Sequence, residues 1–156
     1  PCSLDVPELI QQPIEVAGRS LIFTGVSVGN PHCVVFKPTG ESWSREELLA
    51  LGPALEHHKL FPKRTNVQLV VPTGRNEVFI LIWERGAGET QASGSSSCAA
   101  ASAAVRLGLV RSPVTVKMPG GVLNIDVAPD FSLTMNGPVA EVARGTLSPS
   151  FIRGLK

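Results

Sequence analysis

The chain has 156 residues, 43% of them hydrophobic, with 15 glycines and 13 prolines, which suits one turn-rich globular domain or one half of a two-domain protein. Its net charge of +1 gives no field that would gather nucleic acid or a membrane, and no apolar run approaches the ~20 residues that span a bilayer. Three cysteines (Cys2, Cys33, Cys98) at no repeated spacing argue against a disulfide framework or a zinc site and for a reducing compartment, which we expect to be the cytoplasm.

No signal peptide is visible, and a start at Pro1 rather than Met leads us to expect a piece of a longer chain. Pro1 to Pro13 reads as an extended lead-in. Ile14 to Val28 reads as two short strands around a turn at Gly18-Arg19, bounded by Gly29-Asn30-Pro31. His32 to Lys37 reads as a buried strand with Cys33 packed in the core, followed by the turn Pro38-Thr39-Gly40. Ser44 and Glu47 have capping-box spacing, and Trp43 and Leu48 occupy the staple positions, so a helix should start at Ser44. Gly52-Pro53 should break or restart it before Glu56, His57 and His58, and the two histidines read as solvated helix-end residues. Asn66 to Pro72 alternates with Val67, Leu69 and Val71 on one face, and Glu77 to Trp83 is an apolar run of strand length.

The chain then delivers an acid–base pair, Glu84-Arg85, into the glycine-punctuated loop Gly86-Ala87-Gly88-Glu89-Thr90-Gln91-Ala92. Ser93-Gly94-Ser95-Ser96-Ser97-Cys98 follows and opens a helix. A helix start leaves free N–H groups and partial positive charge, and small residues there let a carboxylate or phosphate approach closely. No Gly-Lys-Ser/Thr follows, so this is not a Walker loop. From Cys98 to Leu109 the helix carries five alanines and only Arg106 as a charge, which predicts burial on nearly all sides with strands close around it. Beyond it, three alternating sets predict a meander: Val114, Val116, Met118; Leu123, Ile125, Val127; and Phe131, Leu133, Met135. A fourth strand is expected at Val139 to Ala143. The fold class is therefore α+β: a mixed, largely antiparallel sheet rolled into a barrel around a central Ala-rich helix. Taken alone, Ser93 to Ser97 could be an ordinary helix cap, Glu84-Arg85 a surface ion pair and Asn30 a turn residue.

Several of these stretches, in this order, resemble the second half of diaminopimelate epimerase: Gly29-Asn30-Pro31-His32-Cys33-Val34; Leu51-Gly52-Pro53 with Glu56 and His58; Phe61-Pro62 with Thr65-Asn66-Val67; Trp83-Glu84-Arg85-Gly86 with Gly88-Glu89-Thr90; and Gly137-Pro138. The resemblance runs from about Ser27 to Gly145 and implies one of two similar α/β halves, with the other, N-terminal half absent and the active site in the cleft between them. It implies inversion at the α-carbon of LL-diaminopimelate to the meso form by two facing cysteines, without pyridoxal phosphate, metal or other cofactor. Carried over by position, Gly94 and Ser95 would give amides to the reacting α-carboxylate, and Glu84 would lie near the reacting α-amino group. Asn30, Asn66 and Arg85 would bind the distal end of this small amino-acid substrate, and His32 would lie beside the catalytic centre. A dimer of the full protein, on the lysine and cell-wall route, is the corresponding expectation.

The family's second catalytic cysteine falls where this chain has Ser93. A thiol of pKa ~8.5 becomes a thiolate at small cost, whereas a hydroxyl is far less acidic and a helix dipole worth ~0.3–2 kcal/mol does not close the gap. Cys98, five residues on and inside the helix, does not obviously replace it. Three accounts stand: an engineered block, a lineage that racemises another way or another amino acid, or a domain that binds without catalysing. On each of them the chain by itself should be inactive.

Overall fold

The computed structural model describes residues 8–155, so the lead-in expected before Pro13 lies largely outside the described residues. Strands β1 (Gln12–Val16) and β2 (Arg19–Ser27) form a hairpin whose two loop residues, Ala17 and Gly18, both take positive φ. That is the geometry matching the right-handed twist of the strands. β3 (Pro31–Phe36) pairs antiparallel with β2 and parallel with β4 (Asn66–Gly74). The parallel pairing requires a crossover, which is α1 (Arg45–Glu56). Ser44 caps α1 with both bonds of the capping box, Glu47 N–H to Ser44 Oγ at 3.2 Å and Ser44 N–H to Glu47 Oε2 at 3.0 Å.

β5 (Glu77–Glu84) pairs antiparallel with β4 and with the short β6 (Gly88–Thr90), a strand the sequence did not reveal. The second crossover, α2 (Gly94–Arg106), leads to β7 (Val114–Met118), parallel to β5. β8 (Gly121–Val127) and β9 (Leu133–Asn136) complete the meander. The path β1-β2-β3-β4-β5-β7-β8-β9 is mixed and mostly antiparallel, as expected.

Alternation in the strands divides two cores. Val67, Leu69 and Val71 of β4 face α1 with Leu48, Leu51, Leu55, Trp43 and Phe61; Val70, Val78, Ile80 and Ile82 face the α2 alanines. α2 touches β2, β3, β4, β5, β7, β8 and β9, so the sheet rolls around it. The roll is open: among the described residues β1 and β9 end the path and do not pair with each other, so the barrel expected from the sequence does not close.

Two further expectations are corrected. α1 runs through Gly52-Pro53 without a break. Pro53 lies in its last turn, and Gly52 is there for packing, since a Cβ would meet Trp83 Cγ at 2.6 Å. No strand forms at Val139 to Ala143; Val139 and Val142 are almost fully exposed, and the chain runs irregularly to a short helix, α3 (Pro149–Arg153). An alternating sequence becomes a strand only where it pairs with an edge, and this segment pairs with neither β1 nor β9. Among the described residues no helix is long and apolar enough to cross a membrane.

Candidate active site

Strand register brings three of the candidate residues into one row. His32 of β3 pairs with Asn66 of β4, and because Val67 opposes Trp83 in the antiparallel β4–β5 pair, Asn66 stands opposite Glu84. Two register positions inward, on the same face, the row continues as Val34, Gln68 and Ile82. Residues opposite each other in register share a face, here the face that α2 covers.

His32 is 2% exposed, and its Nε2 lies 2.9 Å from Asn30 Oδ1. Since Oδ1 can only accept, Nε2 carries the proton and Nδ1 is left as an acceptor. Burial lowers the His32 pKa to about 4, against upward pulls from Gln68 and the Glu84 charge, so the ring is neutral at pH 7. Glu84 and Arg85 are thus both within electrostatic reach of His32. Gln68, fully buried, donates from Nε2 to Ser96 Oγ at 3.0 Å and ties the row to the first turn of α2. His32 Nδ1 and Gln68 Oε1 are left without partners, although Gln68 lies beside the ring. The opposite orientation of the Gln68 amide satisfies both, with Nε2 donating to His32 Nδ1 and Oε1 accepting from the Ser96 hydroxyl.

Asn66 is buried and its amide is engaged in the fold. Nδ2 donates to Pro31 O at 3.0 Å, and Oδ1 accepts from the Arg85 backbone N–H at 2.9 Å. These two bonds leave one hydrogen of the amide uncommitted. The Arg85 guanidinium, on an exposed residue, donates from Nη1 to Lys63 O at 3.2 Å. Below the same turn lies Glu56, 3% exposed, which accepts from Trp83 Nε1 at 2.8 Å and from the Gly86 N–H at 2.9 Å. Burial alone would raise its pKa, but those two bonds, with His57 and Arg64 alongside, hold it below the usual carboxylate range.

Ser93 is the N-cap of α2 in extended backbone, φ −155°, and its Oγ accepts from the Ser96 N–H at a long 3.4 Å. The hydroxyl is half-buried with Ser95 Oγ 3.5 Å away. As first-turn residues, Gly94 and Ser95 have amides with no intrahelical acceptor. Both line a shallow pocket with Ser27, Cys98, Phe131 and Met135, whose Sδ would be 3.0 Å from a Cβ added at Gly94. A larger hollow of about 570 Å³, bordered by Asn30 and His32, shares Ser27 and Phe131 with it. Burial pushes the Cys98 thiol up, so at neutral pH it is no thiolate.

The structure therefore brings His32, Asn30, Asn66, Glu84 and Arg85 together at one end of the roll, linked through Gln68 and Ser96 to the helix start that carries Ser93, Gly94 and Ser95. Sequence reasoning missed Gln68 and Glu56 as parts of this arrangement. Gln68 occupies the polar position of an alternating strand, which reads as outward until a second helix covers that face. Glu56 appears in the sequence only within a family-like stretch, with no role of its own; the tertiary approach of Trp83 is what engages it in the buried turn. Among the described residues no three His, Cys, Asp or Glu side chains gather as a metal site would require.

A sequence profile described as diaminopimelate epimerase matches residues 24–142. Diaminopimelate epimerase of Synechococcus sp. (strain JA-3-3Ab) is 44% identical over 149 residues, covering 94% of this chain and 52% of that protein. That of Desulfitobacterium hafniense is 43% identical over 151 residues, covering 93% and 52%. The chain thus spans about half the length of the curated relatives it matches. Among solved structures, a predicted epimerase from Pseudomonas aeruginosa aligns with TM-score 0.57 at 21% identity, covering 85% of this chain and 47% of that one. A phenazine biosynthesis protein of the PhzF family from Bacillus anthracis aligns with TM-score 0.52 at 15% identity, covering 80% and 40%. At these identities the structural likeness shows the fold.

Proposed function

Because the chain belongs to the diaminopimelate epimerase family, we propose that it forms the C-terminal half of an epimerase that interconverts LL- and meso-diaminopimelate by two-base proton transfer at the α-carbon. The observation that carries this reading is the junction of the α2 start with the strand-end row through the Gln68–Ser96 bond. In this reading the amides of Gly94 and Ser95 receive the α-carboxylate and stabilise the negative charge that builds as the α-proton leaves. Glu84 faces the reacting ammonium, and Arg85, Asn30 and the remaining amide hydrogen of Asn66 hold the distal end. His32, neutral by burial, orders Asn30 and adds no charge beside the carbon.

One base takes the proton from one face while its counterpart delivers a proton to the other. Ser93 stands in the place of one of them, and the second base belongs to a half of the protein outside this chain, which alone should be inactive. The reaction in this reading needs no cofactor. The protein would act as a dimer in the cytoplasm, on the route to lysine and cell-wall precursors.

A specific observation favours a second reading. A hydroxyl capping its own helix makes a poor base, so a domain that binds the amino acid without turning it over accounts for Ser93 more simply. A racemase of another amino acid is the remaining alternative. The discriminating experiment is deuterium wash-in at the α-carbon of diaminopimelate, in the full-length protein carrying this chain, with Ser93 and with Ser93→Cys. The epimerase reading expects exchange at least ~10²-fold faster with the cysteine, the usual scale for supplying a competent acid–base group. Exchange in neither form supports the binding reading, and exchange with a different amino acid alone identifies another racemase.

A further inference from the structure

We propose that Glu56 is a positioning residue for the Glu84–Arg85 pair, fixing from beneath the turn that presents this pair to an amino-acid ligand. The identity of that ligand rests on the epimerase reading; the clamp itself does not. Two consecutive backbone amides of the turn, Arg85 N–H and Gly86 N–H, point in to Asn66 Oδ1 and Glu56 Oε1 at 2.9 Å each. The other Glu56 oxygen takes the indole N–H of Trp83, on the strand that leads into the turn. The Arg85 side chain is anchored separately on Lys63 O, and Arg64 reaches Glu56 Oε1 at 3.3 Å. The turns at 61–65 and 84–87 are thereby cross-tied, with one buried carboxylate at the join. Gly86 takes the left-handed φ of +80°, and the Ala87 N–H returns to Glu84 O at 3.1 Å, so the turn is tight and its inward amides have fixed directions.

A carboxylate is the group that suits this place. A buried charge is costly unless donors surround it, so a residue that only filled space here would be apolar. Two N–H groups arriving from different elements need two accepting oxygens, and a carboxamide offers one oxygen and sets an NH₂ against the other donor. The exposed Arg64 is a minor partner. Glu56 therefore ties the last turn of α1 to the strand and to the turn at once, which a packing role does not require.

The test uses the full-length protein carrying this chain and compares Glu56→Gln with Trp83→Phe, which also loosens the Glu56 contacts but leaves the Gly86 bond in place. Backbone amide exchange at Arg85 and Gly86 is read without ligand, and the dissociation constant for LL-diaminopimelate is read alongside thermal stability. Glu56→Gln should speed exchange at Gly86 by at least about tenfold and weaken binding by a similar factor, as expected for losing a hydrogen bond to a charged group. Trp83→Phe should lower stability yet leave the dissociation constant within about twofold, since the turn keeps its anchor. Unchanged exchange at Gly86 in Glu56→Gln would overturn the clamp. Faster exchange with binding no weaker than in Trp83→Phe would overturn the positioning role while leaving the epimerase reading intact. Faster exchange in a protein whose parent form does not bind diaminopimelate would overturn that reading and the ligand assignment with it.

Discussion

The two faces of the sheet are covered by helices of opposite character. α1 brings Leu48, Leu51 and Leu55 against a layer that includes Trp43, Phe23 and Phe61, the last two rings edge-to-face with centroids 5.4 Å apart. α2 brings Ala99, Ala100, Ala101, Ala103 and Ala104. Large side chains bury area and set a helix at a distance from the strands; alanines bury little but allow backbone to approach from several directions. The α1 face accordingly resembles an ordinary helix-on-sheet layer. The α2 face gives up side-chain area so that seven strands can curl around one helix and bring its N-terminus to the strand ends. The lesson is that the helix start at the site is positioned by what α2 lacks.

The sharpest way to break this contrast is to exchange volumes. Leu55→Ala should cost about 2–5 kcal/mol through lost transfer energy and a cavity, read by denaturant unfolding. Ala100→Leu, which adds volume where no exposed surface remains, should cost about 1–3 kcal/mol by overpacking. If Ala100→Leu were neutral, the close approach of strands to α2 would not depend on small residues.

The next effect is electrostatic and belongs to the α2 face alone. His32 titrates near about 4 in the folded chain against 6.5 when unperturbed. Between those values the unfolded state binds a proton that the folded state does not, so stability falls as pH drops through 6.5 and levels off below about 4. Between pH 7 and pH 5 this should remove on the order of 1–2 kcal/mol, and His32→Gln should flatten that part of the profile. Glu47 and Glu56, with pKa values lowered from 4.5, act only at lower pH. An unchanged slope in His32→Gln would show that another group carries it.

The smallest contrast lies in the two N-caps. Ser44 has a reciprocal partner in Glu47, whereas Ser93 accepts one long bond and α2 has no acidic residue in its first turn. Ser44→Ala should cost about 1 kcal/mol and Ser93→Ala distinctly less. Equal losses would mean that Ser93 serves its helix as fully as Ser44 does.

How legible each region was in the sequence follows from the same physics. The α1 start was readable because its cap is local, with Ser44, Glu47, Trp43 and Leu48 within six residues. The α2 burial was readable from composition, and the strands from alternation and turn residues. The misreadings came where a distant element decides. Gly52-Pro53 looks like a stop until Trp83 packs on Gly52, and Val139 to Ala143 looks like a strand but pairs with neither end of the sheet, β1 or β9. Closure of the sheet depends on how far strands at opposite ends curl, which no local pattern encodes. At the site, residue types and order pointed to Ser93, Gly94, Ser95, Glu84 and Arg85. The engagement of Asn66 and Glu56 with backbone amides depends on pairings 19 and 30 residues apart.

The alanine-rich α2 has another consequence. It carries little oily surface of its own, so it has no independent reason to stay where it is once its surroundings loosen. The direction of the Gly94 and Ser95 amides therefore depends on the strands that surround α2, and changes when they part. The geometry of the pocket is in this sense a property of the whole roll, and any change that opens the sheet, however remote, reaches it.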